Sequence, residues 1–137
     1  FADPTAQLRG QVTLGDEVYV GPFATLVAEA GHKIEIGAES DVQDNVTLEA
    51  TKGDIILGET VILAHGATVK GAAELGAHGV CPDAAAKHCP SFVGFNSEVD
   101  GATVEMDAMV GHLARLAPGV RLKSGLKVLP GKNVTTQ

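Results

Sequence analysis

An aliphatic residue returns at every sixth position through most of this 137-residue chain. Leu8, Leu14, Val20 and Leu26 open the series, and Ile36, Val42, Leu48, Leu57, Leu63, Val69 and Leu75 continue it between short breaks. After a longer break it resumes at Val93 and Val99, slips by one residue to Val104, and runs through Val110, Leu116, Leu122, Val128 and Val134. Four positions after most of these stands a second small or aliphatic residue, among them Val18, Ala24, Val46, Ala67, Ala108 and Ala114. A period of six matches neither the 3.6 of a helix nor the 2.0 of a simple strand. It matches a solenoid of triangular cross-section with one hexapeptide per side. The expected fold class is therefore all-β, a left-handed parallel β-helix, in contrast to the usual right-handed crossover.

In such a prism the first aliphatic residue of each hexapeptide points inward. The small residue four later sits near a corner, and the residues between face out. The expected inward set includes Leu14, Val20, Ile36, Val42, Leu48, Leu57, Leu63, Val69 and Leu116. Successive coils stack at the strand spacing of about 4.8 Å. A column of Leu, Ile and Val then fills the core, which explains an aromatic content of only 4%. The 17 glycines are expected largely at corners where φ is positive.

The repeat describes one domain over residues 1–137, interrupted three times. Residues 28–33 and 50–54 read as short corner loops. Residues 77–90, AHGVCPDAAAKHCP, are an insertion that must project from a corner. Cys81 and Cys89 in that insertion suit a disulfide stapling the excursion, which implies an extracytoplasmic, oxidising compartment. Free thiols are one rival; the other is a small metal site using His78, Cys81, His88 and Cys89, a spacing that matches no common zinc motif. The chain starts at Phe1 without Met and shows no capping element, so further sequence is expected at its ends.

A net charge of −7 argues against a nucleic-acid partner, which calls for a basic stripe. No apolar run approaches the roughly 20 residues of a membrane span. The acidic positions Asp16, Glu17, Glu39, Asp41 and Asp44 fall on outward faces, and no glycine-aspartate nonapeptide makes them a calcium ladder.

Five segments carry a more specific signal: Ser40-Asp41-Val42-Gln43-Asp44, Val61-Ile62-Leu63-Ala64-His65-Gly66, Val69-Lys70-Gly71, Ser91-Phe92-Val93-Gly94-Phe95, and the ending Leu129 to Gln137. In order and spacing, the insertion apart, they resemble the gamma-class carbonic anhydrases and the related domain of carboxysome assembly proteins. The resemblance implies a trimer with a divalent metal, usually zinc, at each subunit interface. Three His would hold it, two from one subunit and one from its neighbour. The positions equivalent to those ligands are Glu49, His65 and Lys70, so only His65 retains the family residue. A protonated Lys has no lone pair to give a metal, and water activation by zinc needs three protein ligands and an open position. Gln43 and Asp44 match the family's catalytic segment. The Arg that would pair with Asp44 is replaced by Val27, and the acidic pair after it is reduced to Glu29 beside Ala30.

Coil arithmetic places Leu48 and Val69 one rung apart on one face. Glu49 and Lys70, which follow them, should therefore be outward neighbours and form an ion pair where the family has two metal-binding His. The reading that follows is a catalytically degenerate, trimeric relative of gamma carbonic anhydrases with a structural or assembly role and no cofactor. The trimer would be of identical chains, or mixed with an active paralogue whose site His65 completes. An active zinc enzyme with an unfamiliar or hetero-trimeric site is the first alternative. A hexapeptide acyltransferase is the second, with His112 as the only base worth naming. As bland readings, His65 is an interface residue hydrogen-bonded to a neighbour, and His112 and His32 are solvated.

Overall fold

The computed structural model describes residues 1–81 and 89–135. Every regular element among them is a short strand, and all the strand pairings are parallel. Three sheets form the walls of a prism. Sheet A comprises Gln11–Leu14, Lys33–Ile36, Ile55–Leu57, Ala73–Leu75, Thr103–Val104 and Arg121–Leu122. Sheet B comprises Tyr19–Val20, Asp41–Val42, Val61–Leu63, Ser91–Val93, Met109–Val110 and Lys127–Val128. Sheet C comprises Gln7–Arg9, Thr25–Ala28, Thr47–Ala50, Thr68–Lys70, Glu98–Asp100, Arg115–Leu116 and Asn133–Val134. The chain visits A, B and C in turn and then steps up one rung. This is the three-sided parallel β-helix that the six-residue period requires.

The inward residues stack on one another rung by rung. Val20, Val42, Leu63, Val93, Val110 and Val128 form the inner column of sheet B. Leu48, Leu63, Val69, Val42 and Val20 are fully buried, and Leu116, Ile36 and Leu57 nearly so. Leu14 is half-buried against the core, and Leu8 on the lowest rung stays 38% exposed. The small second residues Ala24, Val46, Ala67 and Ala114 are also fully buried, because the corner leaves them no room to reach solvent.

The corner loops are tighter than the break in the repeat implies. Ala28 still belongs to its strand and Lys33 begins the next, so the first loop is only residues 29–32. The insertion leaves the corner between sheets A and B, after Leu75 and before Ser91. Its residues 82–88, including His88, lie outside the described residues. Cys81 and Cys89 are joined in a disulfide with Cα atoms 5.7 Å apart, which excludes the thiol and metal readings of this pair.

The glycine expectation holds for nine glycines, among them Gly10, Gly66 and Gly131, which adopt positive φ, but glycine is not the only residue that does so. Several corners place bulky residues at positive φ, including Phe23 and Leu113 at φ 60° and 61°. Gly94 is needed for space and not for its φ, since a Cβ there would come within 2.6 Å of His112 Nδ1.

Candidate functional site

The residues that the resemblance would place at a carbonic anhydrase site fall into two groups, one at each end of sheet C. Gln43, Asp44 and His65 are at the corner where sheet B turns into sheet C. Glu49 and Lys70 lie on sheet C strands near their far ends, and Glu29 begins the loop beyond. The extended stretch from Ala67 to Lys70 separates the two ends by about 10 Å. Among the described residues no three His, Cys, Asp or Glu side chains converge to hold a metal.

At the first end, position within the hexapeptide generates a column. Asp44, His65, Phe95 and His112 each stand two residues after an inward residue of sheet B, namely Val42, Leu63, Val93 and Val110. They therefore stack one above another at the corner. His65 Nδ1 is 4.0 Å from Asp44 Oδ1, so Asp44 faces the retained His where the family's Arg is missing. The His65 ring stacks on Phe95 with centroids 5.6 Å apart, and Phe95 stacks on His112 at 4.5 Å and nearly parallel. Phe92 meets the edge of His112 at 6.1 Å. The Phe95 backbone N–H donates to His112 Nδ1 at 2.8 Å. His112 is thus solvent-exposed, as the solvated reading has it, and in addition is held at the corner by these contacts. Asn45, His65, Gly66, Phe95 and Asn96 line a shallow depression of about 370 Å³ beside the column. Gln43 Nε2 donates to Asp41 Oδ2 at 3.1 Å.

At the second end the expected register is present: Lys70 stands directly beside Glu49, as Val69 stands beside Leu48. The expected ion pair is not. Lys70 Nζ reaches up to Glu98 Oε1 at 3.2 Å, and Glu98 Oε2 also meets Arg115 Nη1 at 3.6 Å. Glu98 thus lies between two cations, while the neighbour of Glu49 on the rung below is Val27. The hydrogen bond from Lys70 to Glu98, together with the Glu98 charge, raises the Lys70 pKa above its ordinary value. Lys70 therefore holds its proton more firmly than a free lysine, which makes it a still poorer ligand.

Two further polar features escape sequence reading. His32 is not simply solvated, since its Nδ1 lies 3.6 Å from Asp54 Oδ1. The buried Glu105 accepts from Arg121 Nε at 2.6 Å and from the Ser124 backbone N–H at 3.1 Å. Ser124 Oγ in turn accepts the Val80 N–H, and His78 Nε2 meets Glu74 Oε2, so both sheet A and the next corner pin the start of the insertion. The column of Asp44, His65, Phe95 and His112 can be found by counting two residues past each inward position. The Glu105 cluster spans 19 residues and leaves no such signature.

With this geometry in view, comparison with known proteins is informative. The chain is 32% identical over 96 residues to a carbonic anhydrase of Methanosarcina thermophila, covering 56% of this chain and 39% of that one. It is 31% identical over 123 residues to the carnitine operon protein CaiE of Escherichia coli, covering 88% of this chain and 56% of that one. Its homologues are hexapeptide-repeat proteins, gamma carbonic anhydrase among them. The carboxysome assembly protein CcmM of a Nostoc species also matches, at 26% identity over all of this chain and 24% of that one. The chain thus spans about half or less of the length of these relatives. No protein-family model matches it. Among solved structures, a hexapeptide transferase family protein from Anaplasma phagocytophilum aligns with a TM-score of 0.44 and 22% identity, over 98% of this chain and 72% of that one.

Proposed function

We propose that this gamma carbonic anhydrase-like protein is a catalytically degenerate member with a structural or assembly role, working as a trimer. The observation that carries the reading is the engagement of Lys70. At a ligand position it presents an ammonium bound to Glu98 at 3.2 Å, with its proton held more firmly than usual. The residues present do not fit a three-ligand zinc centre, and no catalytic step is assigned to one. The separation of the two residue groups at opposite ends of sheet C supports a threefold arrangement. In it, the His65 corner of one subunit would meet the Glu49 and Lys70 end of the next. The relative named for carboxysome assembly is compatible with a role of this kind. The disulfide supports an oxidising compartment.

A mixed trimer is the second reading, favoured by one observation. His65 turns Nδ1 toward Asp44, stacks one ring face on Phe95 and remains 55% exposed, which leaves its Nε2 open to a partner. The test is the double substitution Glu49→His and Lys70→His, with zinc content and assembly mass measured together and every co-purifying chain identified by mass. The expected result is a homotrimer that gains zinc on substitution and little activity, because Val27 and Ala30 still lack the family's Arg and carboxylate. A double variant that stays trimeric without gaining zinc would show that the equivalence of these positions is wrong.

A further inference from the structure

Sheet B presents an outer face unlike that of sheet C. The outward residues of sheet C are largely threonine and charged, as in Thr25, Thr47, Thr68, Glu98 and Arg115. On sheet B five consecutive rungs carry Asp41, Ile62, Phe92, Met109 and Lys127, each directly opposite the next. Ile62 and Phe92 are half-buried and Met109 is 40% exposed. This order is palindromic in chemistry. Phe92 is central, an unbranched or branched aliphatic side chain lies one rung away on each side, and a charge lies two rungs away on each side, negative below and positive above. Among the described residues neither Asp41 nor Lys127 has an ion-pair partner. The wider charge distribution repeats the polarity. The last coils carry Arg115, Arg121, Lys123, Lys127 and Lys132 with no carboxylate in residues 108–137, while the net charge of the whole chain is −7.

We propose that this face binds a second copy of the same chain, face to face and with the prism axes antiparallel. A two-fold axis parallel to the strands and passing over Phe92 places Phe92 on its own copy. It also sets Ile62 against the second copy's Met109, and Asp41 against its Lys127. An isologous contact demands this kind of self-complementarity, in which each residue's mate also mates with it. A parallel arrangement would instead oppose Asp41 to Asp41 and Lys127 to Lys127. Five rungs at about 4.8 Å by three residues at about 3.3 Å give a contact of a few hundred Å² per partner. That is below the roughly 1,200 Å² in total of a stable specific interface, so the association should be weak and transient, depend on concentration and weaken in salt. It uses a different wall from the threefold contact through sheet C and stands or falls separately from it.

The test is oxidative cross-linking of the full chain carrying Phe92→Cys, read on a denaturing, non-reducing gel, which detects pairs whatever larger assembly is present. Thr103→Cys on the outer side of sheet A serves as the control. Phe92→Cys should form covalent dimers at least about tenfold faster than the control, because only a residue on the axis meets its own copy. Adding Lys127→Asp should slow this by about tenfold, and so should adding Asp41→Lys. Mixing the two charge variants should restore it, since the lysine introduced in one copy then faces the aspartate introduced in the other. Cross-linking no faster than the control overturns the proposal. So does a mixture that cross-links as slowly as either variant alone, or coverage of sheet B by a different chain in the native assembly.

Discussion

Leu63→Ala tests how the stack is held together. Leu63 is fully buried on the third rung of sheet B, with Val42 below and Val93 above. The substitution removes three carbons. At about 0.8 kcal/mol per buried CH₂ the lost transfer free energy is about 2.4 kcal/mol. The neighbours are fixed by strand pairing on both sides and cannot close the gap fully, so a cavity cost adds to this, and the total should fall between about 3 and 5 kcal/mol. Leu8→Ala is the control, because Leu8 belongs to the same repeat but is 38% exposed on the lowest rung. It should cost only about 1.5 kcal/mol, the transfer free energy of the part that is buried, with no enclosed cavity to add to it. Equilibrium urea unfolding with the slope checked for constancy gives both values. If Leu63→Ala unfolds within about 0.5 kcal/mol of the parent, or if Leu8→Ala costs as much, the inward column does not carry the stability assigned to it.

Two further outcomes are expected. The Ser124 N–H and Arg121 hold the Glu105 carboxyl below its usual range, so its contribution is present above the unfolded value near pH 4.5 and is lost as pH falls through the lower folded value. Glu105→Gln should therefore be less stable than the parent at neutral pH and approach it in acid, as read by thermal melting from about pH 7 to about pH 3; an unchanged gap across that range refutes the assignment. Thiol blocking of the native, unreduced protein should label neither Cys81 nor Cys89, and replacing both with Ser should cost no more than about 3 kcal/mol, because the bond closes a loop of only 8 residues' separation.

The fold is legible because one variable, position modulo six, decides which way a side chain points. Spacing alone places Leu48, Leu63 and Val69 in the core, where the structure has them. Spacing also yields the neighbour relation of Glu49 and Lys70, yet not the partner that Lys70 takes. A lysine stem reaches the rung above as easily as the one below, and the insertion at 77–90 hides that Glu98 lies on that upper rung, beside Thr68. The His112 contact escapes for a related reason. Its partner is the backbone N–H of Phe95, 17 residues away, and a backbone donor leaves no mark in the residue pattern. The glycine expectation is met at the nine positive-φ glycines but does not describe them all, because glycine answers two demands: positive φ, which Phe23 and Leu113 also meet, and the close approach of the next coil, which only a missing Cβ permits at Gly94.

Where the resemblance to gamma carbonic anhydrases places a metal-binding His, this chain has a lysine paired with Glu98. The most direct measurement is the zinc content per chain of the unmodified protein, purified without chelator and with all its chains identified. With Lys70 bound to Glu98 and only His65 retained, a homotrimer should carry no stoichiometric zinc and should not hydrate carbon dioxide. One tightly bound zinc per subunit interface, coordinated by Glu49 and His65, would contradict the account and restore the enzyme.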